Sequence, residues 1–220
     1  MYLRTQGVIL SRRNFGEADR ILKIYTKDFG KISALAKGVR RPRSKKGGHL
    51  EIGNWCKVFI VKGKNLDLLT EVELKKAFGI ENFQSEKANK IYHILELVDS
   101  LTQENHKNEE LFILLIQYLA KIETEEDFDF VSSVFKVKLL TLLGFFSAKN
   151  LKESNSRKVL AALEEGEYFD LKQKLKFSRE GYLKLLGFLD SIIETITEQK
   201  LKTSRFLKTE VGSAKWEAGT

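Results

Sequence analysis

The residues with the clearest chemical meaning form a basic run at positions 37–46, which reads Lys-Gly-Val-Arg-Arg-Pro-Arg-Ser-Lys-Lys. Six of these ten residues are cationic and none is acidic. Pro42 keeps the run out of a helix and two glycines follow it, so the pattern indicates a flexible loop. Lysine and arginine neutralise phosphate groups, and a serine hydroxyl adds a hydrogen bond to a phosphate oxygen. The run therefore predicts a polyanion-binding site. Its candidate residues are Lys37, Arg40, Arg41, Arg43, Ser44, Lys45 and Lys46.

Arg12 and Arg13 form a second cationic pair, after the first apolar run of the chain. We interpret both as further phosphate-binding residues, and we interpret Arg20 and Lys31 as ordinary solvated surface charges. Neighbouring aromatic side chains could stack on nucleobases, but a small barrel needs most of them in its core, so one or two are expected on the binding face. The aromatic candidates are Phe15, Tyr25, Phe29, Trp55 and Phe59. No pattern resembles a code for base edges, which predicts binding independent of nucleotide sequence.

Residues that could catalyse a reaction are sparse. The chain has no glycine-rich phosphate loop ending in Gly-Lys-Ser/Thr. His93 and Glu96 could share a metal ion, but no third ligand is evident, and a histidine at the solvent edge of a helix is the favoured interpretation. Cys56 lies in an alternating strand, where a buried thiol is expected. Glu17 and Asp19 are flanked by arginines and are expected to form ion pairs or a turn contact. We therefore expect no enzymatic activity.

Charge is distributed unevenly along the 220 residues. Residues 1–80 contain 18 Lys and Arg against 7 Asp and Glu, a net charge of +11, whereas residues 81–220 contain 20 against 23, a net charge of −3. This asymmetry indicates a polyanion-binding module joined to a second unit. The hydrophobic fraction of 42% excludes wholesale disorder. The lone cysteine favours a reducing cytosol, and the short uncharged runs predict no membrane span.

Short apolar runs separated by turns predict five β-strands within residues 1–80. Five short strands favour a small closed barrel, with an OB-fold as the first candidate and an SH3-like barrel as the alternative. From residue 83 onward apolar residues recur at helical spacing, and helices are expected near 91–101, 109–122, 127–146, 156–165 and 178–199, with a short turn at 202–208. The expected fold is α+β and multidomain, with an N-terminal OB-fold barrel (1–80), an all-α helical domain (81–210) and a frayed tail (211–220).

Several segments together are similar to a known protein family. They read Gly-Val-Ile-Leu (7–10), Phe-Gly-Glu-Ala-Asp-Arg-Ile-Leu (15–22), Tyr-Thr (25–26), Gly-Lys-Ile-Ser-Ala-Leu-Ala-Lys-Gly (30–38), Arg-Arg-Pro-Arg-Ser (40–44), Leu-Leu-Thr-Glu-Val-Glu (68–73), Lys-Leu-Leu-Thr-Leu-Leu-Gly-Phe (138–145) and Leu-Lys-Thr-Ser-Arg-Phe-Leu (201–207). In this order they resemble the RecO family of DNA-repair proteins. The stretch 17–44 is the most specific, and the resemblance fades over 149–177.

The resemblance implies a mediator of DNA repair and homologous recombination with an N-terminal OB-fold and a helical domain. RecO proteins bind single- and double-stranded DNA and anneal complementary strands. With RecR, and in some cases RecF, they help to load RecA onto DNA coated by the single-stranded-DNA-binding protein (SSB), whose acidic C-terminal tail they engage. The implied location is the cytoplasm, in association with the nucleoid and without a membrane partner.

Two details of the resemblance concern the helical domain. Many RecO proteins carry a four-cysteine zinc site after the Gly-Phe motif, but residues 146–158 contain no cysteine, so we expect neither zinc nor another cofactor. For the acidic SSB tail we expect an apolar groove with a cationic rim. Lys138, Lys202 and Arg205 are the candidate residues for it, although each could instead be a charge that complements a helix end.

Two other classes of function stay open at this point. The basic barrel could belong to an RNA-binding adaptor, because the same cations would bind an RNA backbone. The protein could also be a non-catalytic scaffold whose helical domain binds other proteins and whose basic face is incidental.

Overall fold

The N-terminal unit is a closed five-stranded barrel. A computed structural model describes residues 2–78, 85–151, 154–175, 178–204 and 207. The strands are β1 (Tyr2–Phe15), β2 (Asp19–Thr26), β3 (Gly30–Ala36), β4 (Trp55–Val61) and β5 (Asp67–Lys76). They close in the order β1-β2-β3-β5-β4. All described pairs are antiparallel except β3 with β5. The predicted OB-fold is confirmed.

Alternation along the strands separates an interior from an exterior. Leu22 and Ile24 on β2 lie in the barrel core, as do Ile32 and Ala34 on β3, and Val58 on β4 belongs to the same buried cluster. The residues between them face outward. Closing the sheet buries the inward apolar face of the strands and leaves no long unpaired edge.

Six helices follow the barrel in the part of the chain that the structure describes. They are α1 (Ser85–Leu101), α2 (Glu109–Thr124), α3 (Phe128–Leu142), α4 (Ser154–Glu165), α5 (Tyr168–Lys174) and α6 (Arg179–Thr197). The predicted helical unit is confirmed. Within those described ranges, no helix has the length and apolarity that crossing a bilayer requires.

Local sequence explains where several helices begin. The Asn108 side chain accepts a hydrogen bond from the Leu111 amide at 2.9 Å, and Asp127 accepts one from the Phe130 amide at 3.0 Å. Asp127 thus caps α3. Two expectations need revision, because α3 ends at Leu142 rather than near residue 146, and α5 has no counterpart among the predicted helices.

Some expected features lie partly or wholly outside the described residues. These are the tail 211–220, residues 205, 206 and 208 of the predicted turn at 202–208, which include the candidate Arg205, and the boundary near residue 80. The proposed division into domains therefore stays a prediction.

The helices pack directly on the outer face of the barrel. Val8, Leu10 and Tyr25 project outward from β1 and β2 and belong to the same buried cluster as the helical core. The segment between α1 and α2 lies along β3, where the Asn105 amide donates to the Lys31 carbonyl at 2.8 Å. The core of the helical unit therefore extends onto the outer face of the barrel, beside the separate core inside the barrel.

Ion pairs reinforce this junction. Asp99, near the end of α1, accepts hydrogen bonds from the amino groups of Lys23 at 3.1 Å and Lys31 at 3.2 Å, and its carbonyl also accepts from Lys31. The Ser33 hydroxyl donates to Glu104 at 2.6 Å. The Lys31 side chain is only 8% exposed. Its interpretation as a solvated surface charge is therefore wrong, because a lysine buried this deeply requires a paired anion.

Gly30 provides a test of how tightly the helical unit sits on the barrel. Gly30 has φ +68°, and a Cβ atom there would lie 2.0 Å from the His106 carbonyl oxygen. Gly16 has a similar φ of +57° with no atom within 4 Å of its would-be Cβ. We expect Gly16→Ala to cost about 1 kcal/mol, the penalty for left-handed backbone, and Gly30→Ala to cost about 1–3 kcal/mol more. Urea unfolding measures both. Equal costs would show that the packing against His106 is not tight.

Candidate nucleic-acid interface

The loop between β3 and β4 (residues 37–54) carries the basic run and is anchored where it begins. The Gly38 amide donates to the Asp19 carboxylate at 2.7 Å, and the Arg40 amide donates to the Ala18 carbonyl at 2.9 Å. The Arg40 side chain also reaches the Gly16 carbonyl at 3.4 Å. The start of the loop is therefore fastened to the turn between β1 and β2, and Asp19 makes the kind of turn contact that its position predicted.

The far end of the loop is also fixed. The Leu50 side chain is fully buried in the barrel core. The Asn54 side-chain amide donates to the carbonyls of Gly48 and His49, each at 3.1 Å. Within the loop, the Ser44 amide donates to the Arg41 carbonyl at 2.9 Å. The loop that carries the basic run is thus held at both ends by hydrogen bonds and packing, whereas its composition predicted a flexible loop.

Most cations of the run point into solvent. Those with exposed side chains and no carboxylate partner among the described residues are Lys37, Arg40, Arg41, Arg43 and Lys45. Arg13 joins them, since it is exposed near the end of β1, opposite Ile21. We call these six residues the basic end of the barrel. Two residues of the run that were predicted to bind phosphate are not part of the basic end. Ser44 is half-buried, and the Lys46 amino group donates to the Thr70 carbonyl.

Cations on the strands and the β2–β3 turn are largely neutralised. They pair with carboxylates on the strands or in the helical unit. The pairs are Lys23 and Lys31 with Asp99, Lys27 with Glu109, Lys57 and Lys75 with Glu73, Lys62 with Asp67, and Lys76 with Glu123. The excess charge of residues 1–80 is therefore available to a ligand mainly at the basic end.

Arg12 and Arg13 are separated by the pleat of β1. Arg13 faces outward, whereas Arg12 contacts Glu51. The Arg20 guanidinium lies 3.5 Å from the other carboxylate oxygen of Glu51. The interpretation of Arg20 as a free surface charge is therefore wrong. Sequence reasoning missed Glu51, although it is the only acidic residue between Asp28 and Asp67.

Phe15 is the aromatic candidate that the fold leaves available. It lies beside the β1–β2 turn with 49% of its surface exposed. Tyr25 is buried, and Phe29 and Trp55 pack against the two cores. The Phe59 ring is covered by the Arg4 guanidinium at 4.9 Å. Phe15 is thus the aromatic side chain nearest in sequence to the basic end that a nucleobase could reach.

The outer face of β2 and β3 is closed to a ligand. OB-folds commonly bind oligonucleotides across these two strands. Here the face carries Lys23, Lys31 and Ser33, which are already bound by Asp99 and Glu104 of the helical unit. A ligand must therefore approach the loops at the end of the barrel.

The candidate residues of the helical unit do not converge. Lys138 lines a groove of about 300 Å³ between α2, α3 and α4, together with Ile113, Leu114 and Leu142. Lys202 does not line this groove; its backbone amide donates to Glu96 on α1 at 2.8 Å. Burial lowers the pKa of Lys138. One candidate thus lies at an apolar groove, but the other charged residues that line this groove are Glu110 and Glu164, so its role as the site of the acidic tail stays a prediction.

The residues considered for metal binding are otherwise engaged. His93 is buried rather than at a solvent edge, which corrects that prediction, and its Nδ1 lies 2.9 Å from the Thr203 hydroxyl. Burial, followed by the charge of Lys136, lowers the pKa of His93. The Glu96 carboxylate accepts hydrogen bonds from Thr203. Among the described residues, no group of three or more His, Cys, Asp or Glu side chains could hold a metal ion.

Comparison with known proteins identifies the family. The family model described as Recombination protein O N terminal matches residues 1–78, and Recombination protein O C terminal matches residues 90–147. Together the two matches span the barrel and α1 to α3 in the expected order.

The chain belongs to the RecO family.

Curated relatives agree with this assignment. The DNA repair protein RecO of Alkaliphilus metalliredigens is 32% identical over 145 residues, covering 66% of this chain and 59% of the relative. Its counterpart in Pelotomaculum thermopropionicum is 30% identical over 142 residues, covering 64% of this chain and 55% of the relative. The chain thus matches a little over half of the length of these RecO proteins. The N-terminal RecO match contains the whole basic end, whereas α4 to α6 lie beyond both matches.

The reactivity of Cys56 tests whether this RecO chain has a hidden nucleophile. Its thiol is buried, donates to the His49 carbonyl at 3.2 Å, and has a pKa that burial raises to about 12. We expect no reaction with a thiol-specific disulfide reagent under native conditions at neutral pH, and stoichiometric reaction in urea, because the thiolate is the reactive form. Labelling of the native protein at the rate of free cysteine would contradict this.

Proposed function

We propose that this protein is a non-catalytic, DNA-binding mediator of DNA repair and recombination. The observation that carries the proposal is the basic end, where six exposed cations have no carboxylate partner among the described residues, while most lysines of the strands pair with carboxylates. Membership of the RecO family supports it, and the relatives are named DNA repair proteins.

The proposed mode of binding is contact with the phosphate backbone. Lysine and arginine side chains on a loop can reach phosphates of single- and double-stranded DNA alike, without reading bases. Phe15 adds one ring on which a base of single-stranded DNA can stack, worth about 1–3 kcal/mol. Binding should therefore be independent of sequence, with a preference for single strands that depends on Phe15.

Strand annealing follows from the same surface. Two complementary strands repel each other through their phosphates, and no covalent step is needed to join them. A dense cationic surface screens this repulsion and raises the local concentration of strands. The neutralised strand faces would contribute little, so annealing should depend on the basic end.

The proposed protein partners are RecR, SSB and RecA, with RecF in some settings, and they rest on the family resemblance. For the acidic SSB tail we propose the groove at Lys138. Apolar side chains of α2 and α3 line it, and Lys138 provides a cation among them. Glu110 and Glu164 lie at the same groove, so an acidic peptide must place its charge next to Lys138 rather than spread it along the groove.

Reversing three charges of the basic end tests DNA binding. We expect Arg40→Glu, Arg41→Glu and Arg43→Glu together to weaken binding to single-stranded DNA and to flatten the slope of log K against log salt by roughly 2 to 3, because each lost phosphate contact removes about 0.7–0.9. Fluorescence anisotropy over a series of NaCl concentrations measures this slope.

The matched control reverses three exposed lysines on the helices, Lys158, Lys174 and Lys184, which changes the total charge equally. Binding by this control should keep the slope of the original protein. An unchanged slope in the arginine variant would remove the basic end from the interface.

Stronger binding to RNA than to DNA, without annealing of DNA, would favour an RNA-binding adaptor. Absence of all nucleic-acid binding at physiological salt would favour a scaffold.

The groove is tested with a labelled peptide that carries the SSB C-terminal sequence of the same organism. We expect Lys138→Glu in the full chain to weaken peptide binding at least about tenfold, because a charged hydrogen bond is replaced by repulsion. Lys158→Glu, on the exposed face of α4, is the control and should bind normally. Equal affinities of the two variants would place the tail elsewhere.

A further inference from the structure

The mouth of the barrel beneath the basic loop holds two arginines and one carboxylate. Arg12 on β1 lies opposite Leu22, and Arg20 precedes Leu22 by two residues on β2. Because alternate residues share a face, both arginines project from the interior side of the barrel at its end. Glu51 follows the buried Leu50, which positions its carboxylate between them.

One carboxylate does not satisfy two guanidinium groups. Each guanidinium has five N–H donors, whereas Glu51 offers two oxygens. The Arg20 Nε is buried and has no hydrogen-bond partner in the part of the chain that the structure describes. A buried donor left without an acceptor costs free energy that a better acceptor would recover. A phosphate group presents more acceptor positions than a carboxylate, and guanidinium binds it in bidentate geometry.

The three side chains are accessible enough for exchange. They are 29% exposed at Arg12, 19% at Arg20 and 33% at Glu51. Arg20 also pairs with Ala36, the residue immediately before Lys37, so this cluster borders the basic end. A phosphodiester backbone held by the exposed cations would therefore lie next to the Glu51 carboxylate.

We propose that Arg12 and Arg20 form a latent phosphate-binding pair that Glu51 occupies until a polynucleotide arrives. A backbone phosphate then displaces the Glu51 carboxylate, and both guanidinium groups transfer their hydrogen bonds to it. No covalent bond changes. Glu51 thereby acts as an internal competitor that lowers affinity and makes release easier. This inference rests on the proposed binding of DNA at the basic end.

The test compares variants that differ in the competitor and in the pair. The probe is a labelled oligothymidylate, and its fluorescence anisotropy measures binding over a series of NaCl concentrations. We expect Glu51→Gln to tighten binding about fivefold, corresponding to the ~1 kcal/mol of a partly exposed ion pair. Glu17→Gln, at the exposed β1–β2 turn, removes the same charge without an ion pair and should tighten binding less. If both variants increase the affinity equally, the change is explained by net charge alone, and the proposal is overturned.

The double variant that combines Glu51→Gln with Arg20→Gln measures what Arg20 contributes to binding when the Glu51 carboxylate is absent. Relative to Glu51→Gln alone, we expect its salt slope to be flatter by about 0.7, one phosphate contact on a single strand. An unchanged slope would overturn the proposal, with circular dichroism confirming that both variants fold. If Glu51→Gln fails to fold, the salt slope of the single variant Arg20→Gln is compared with that of the original protein. A flatter slope supports the proposal, and an unchanged slope overturns it. If the original protein does not bind the probe, the proposed function is refuted. If binding depends on Arg40, Arg41 and Arg43 but not on Arg12 and Arg20, only this inference is refuted.

Discussion

The buried ammonium group of Lys31 determines how the rest of the molecule is arranged. A lysine that is almost fully removed from water must be paired, and here Asp99 provides both a carboxylate and a carbonyl oxygen. This contact fixes the end of α1 against β3, and the segment that leads to α2 then continues along the same strand. Because the face of β2 and β3 is covered in this way, the barrel lacks the surface on which many OB-folds hold a nucleic acid. This is why we assign the proposed contact with a polyanion to the loops instead.

The same junction explains why net charge is a poor guide to the binding surface. A module of +11 suggests an attractive potential over the whole barrel, but an exposed or partly buried cation beside a carboxylate contributes little field at a distance. Pairing with carboxylates of the strands and the helices leaves most of the unpaired cations of the barrel at one end, with Arg4 and Lys64 as the exceptions among the described residues. The Asp19 side chain and the Ala18 carbonyl hold that end in place, so the cations start from a defined position rather than from a disordered coil. Preorganisation of this kind reduces the entropy lost on binding.

Much of the fold follows from local sequence, whereas the state of each charged residue does not. The strands, the OB-fold, the basic run and the buried Cys56 are all predictable, because alternation, turn residues and composition are local signals. The burial of Lys31 is not, since its partner Asp99 lies 68 positions further along the chain. Glu51 and Arg20 are likewise brought together only by closure of the barrel. Helix α5 was missed because its seven residues are too few for helical periodicity to appear clearly.

If the protein anneals strands as proposed, it has to release DNA as well as bind it, and the limited number of exposed, unpaired cations at the basic end is suited to this. Six to ten phosphate contacts lose roughly a thousandfold or more in affinity between 50 and 200 mM salt, so binding by the six residues of the basic end would be strong enough to collect strands and weak enough to exchange them. If the neutralised strand lysines were also free, the contacts would multiply and the complex would dissociate slowly. The carboxylates of Asp99, Glu73 and Glu51 therefore do more than stabilise the fold. By pairing with strand lysines, Asp99 and Glu73 keep the proposed interface small, whereas the proposed role of Glu51 is to occupy Arg12 and Arg20 until a phosphate displaces it.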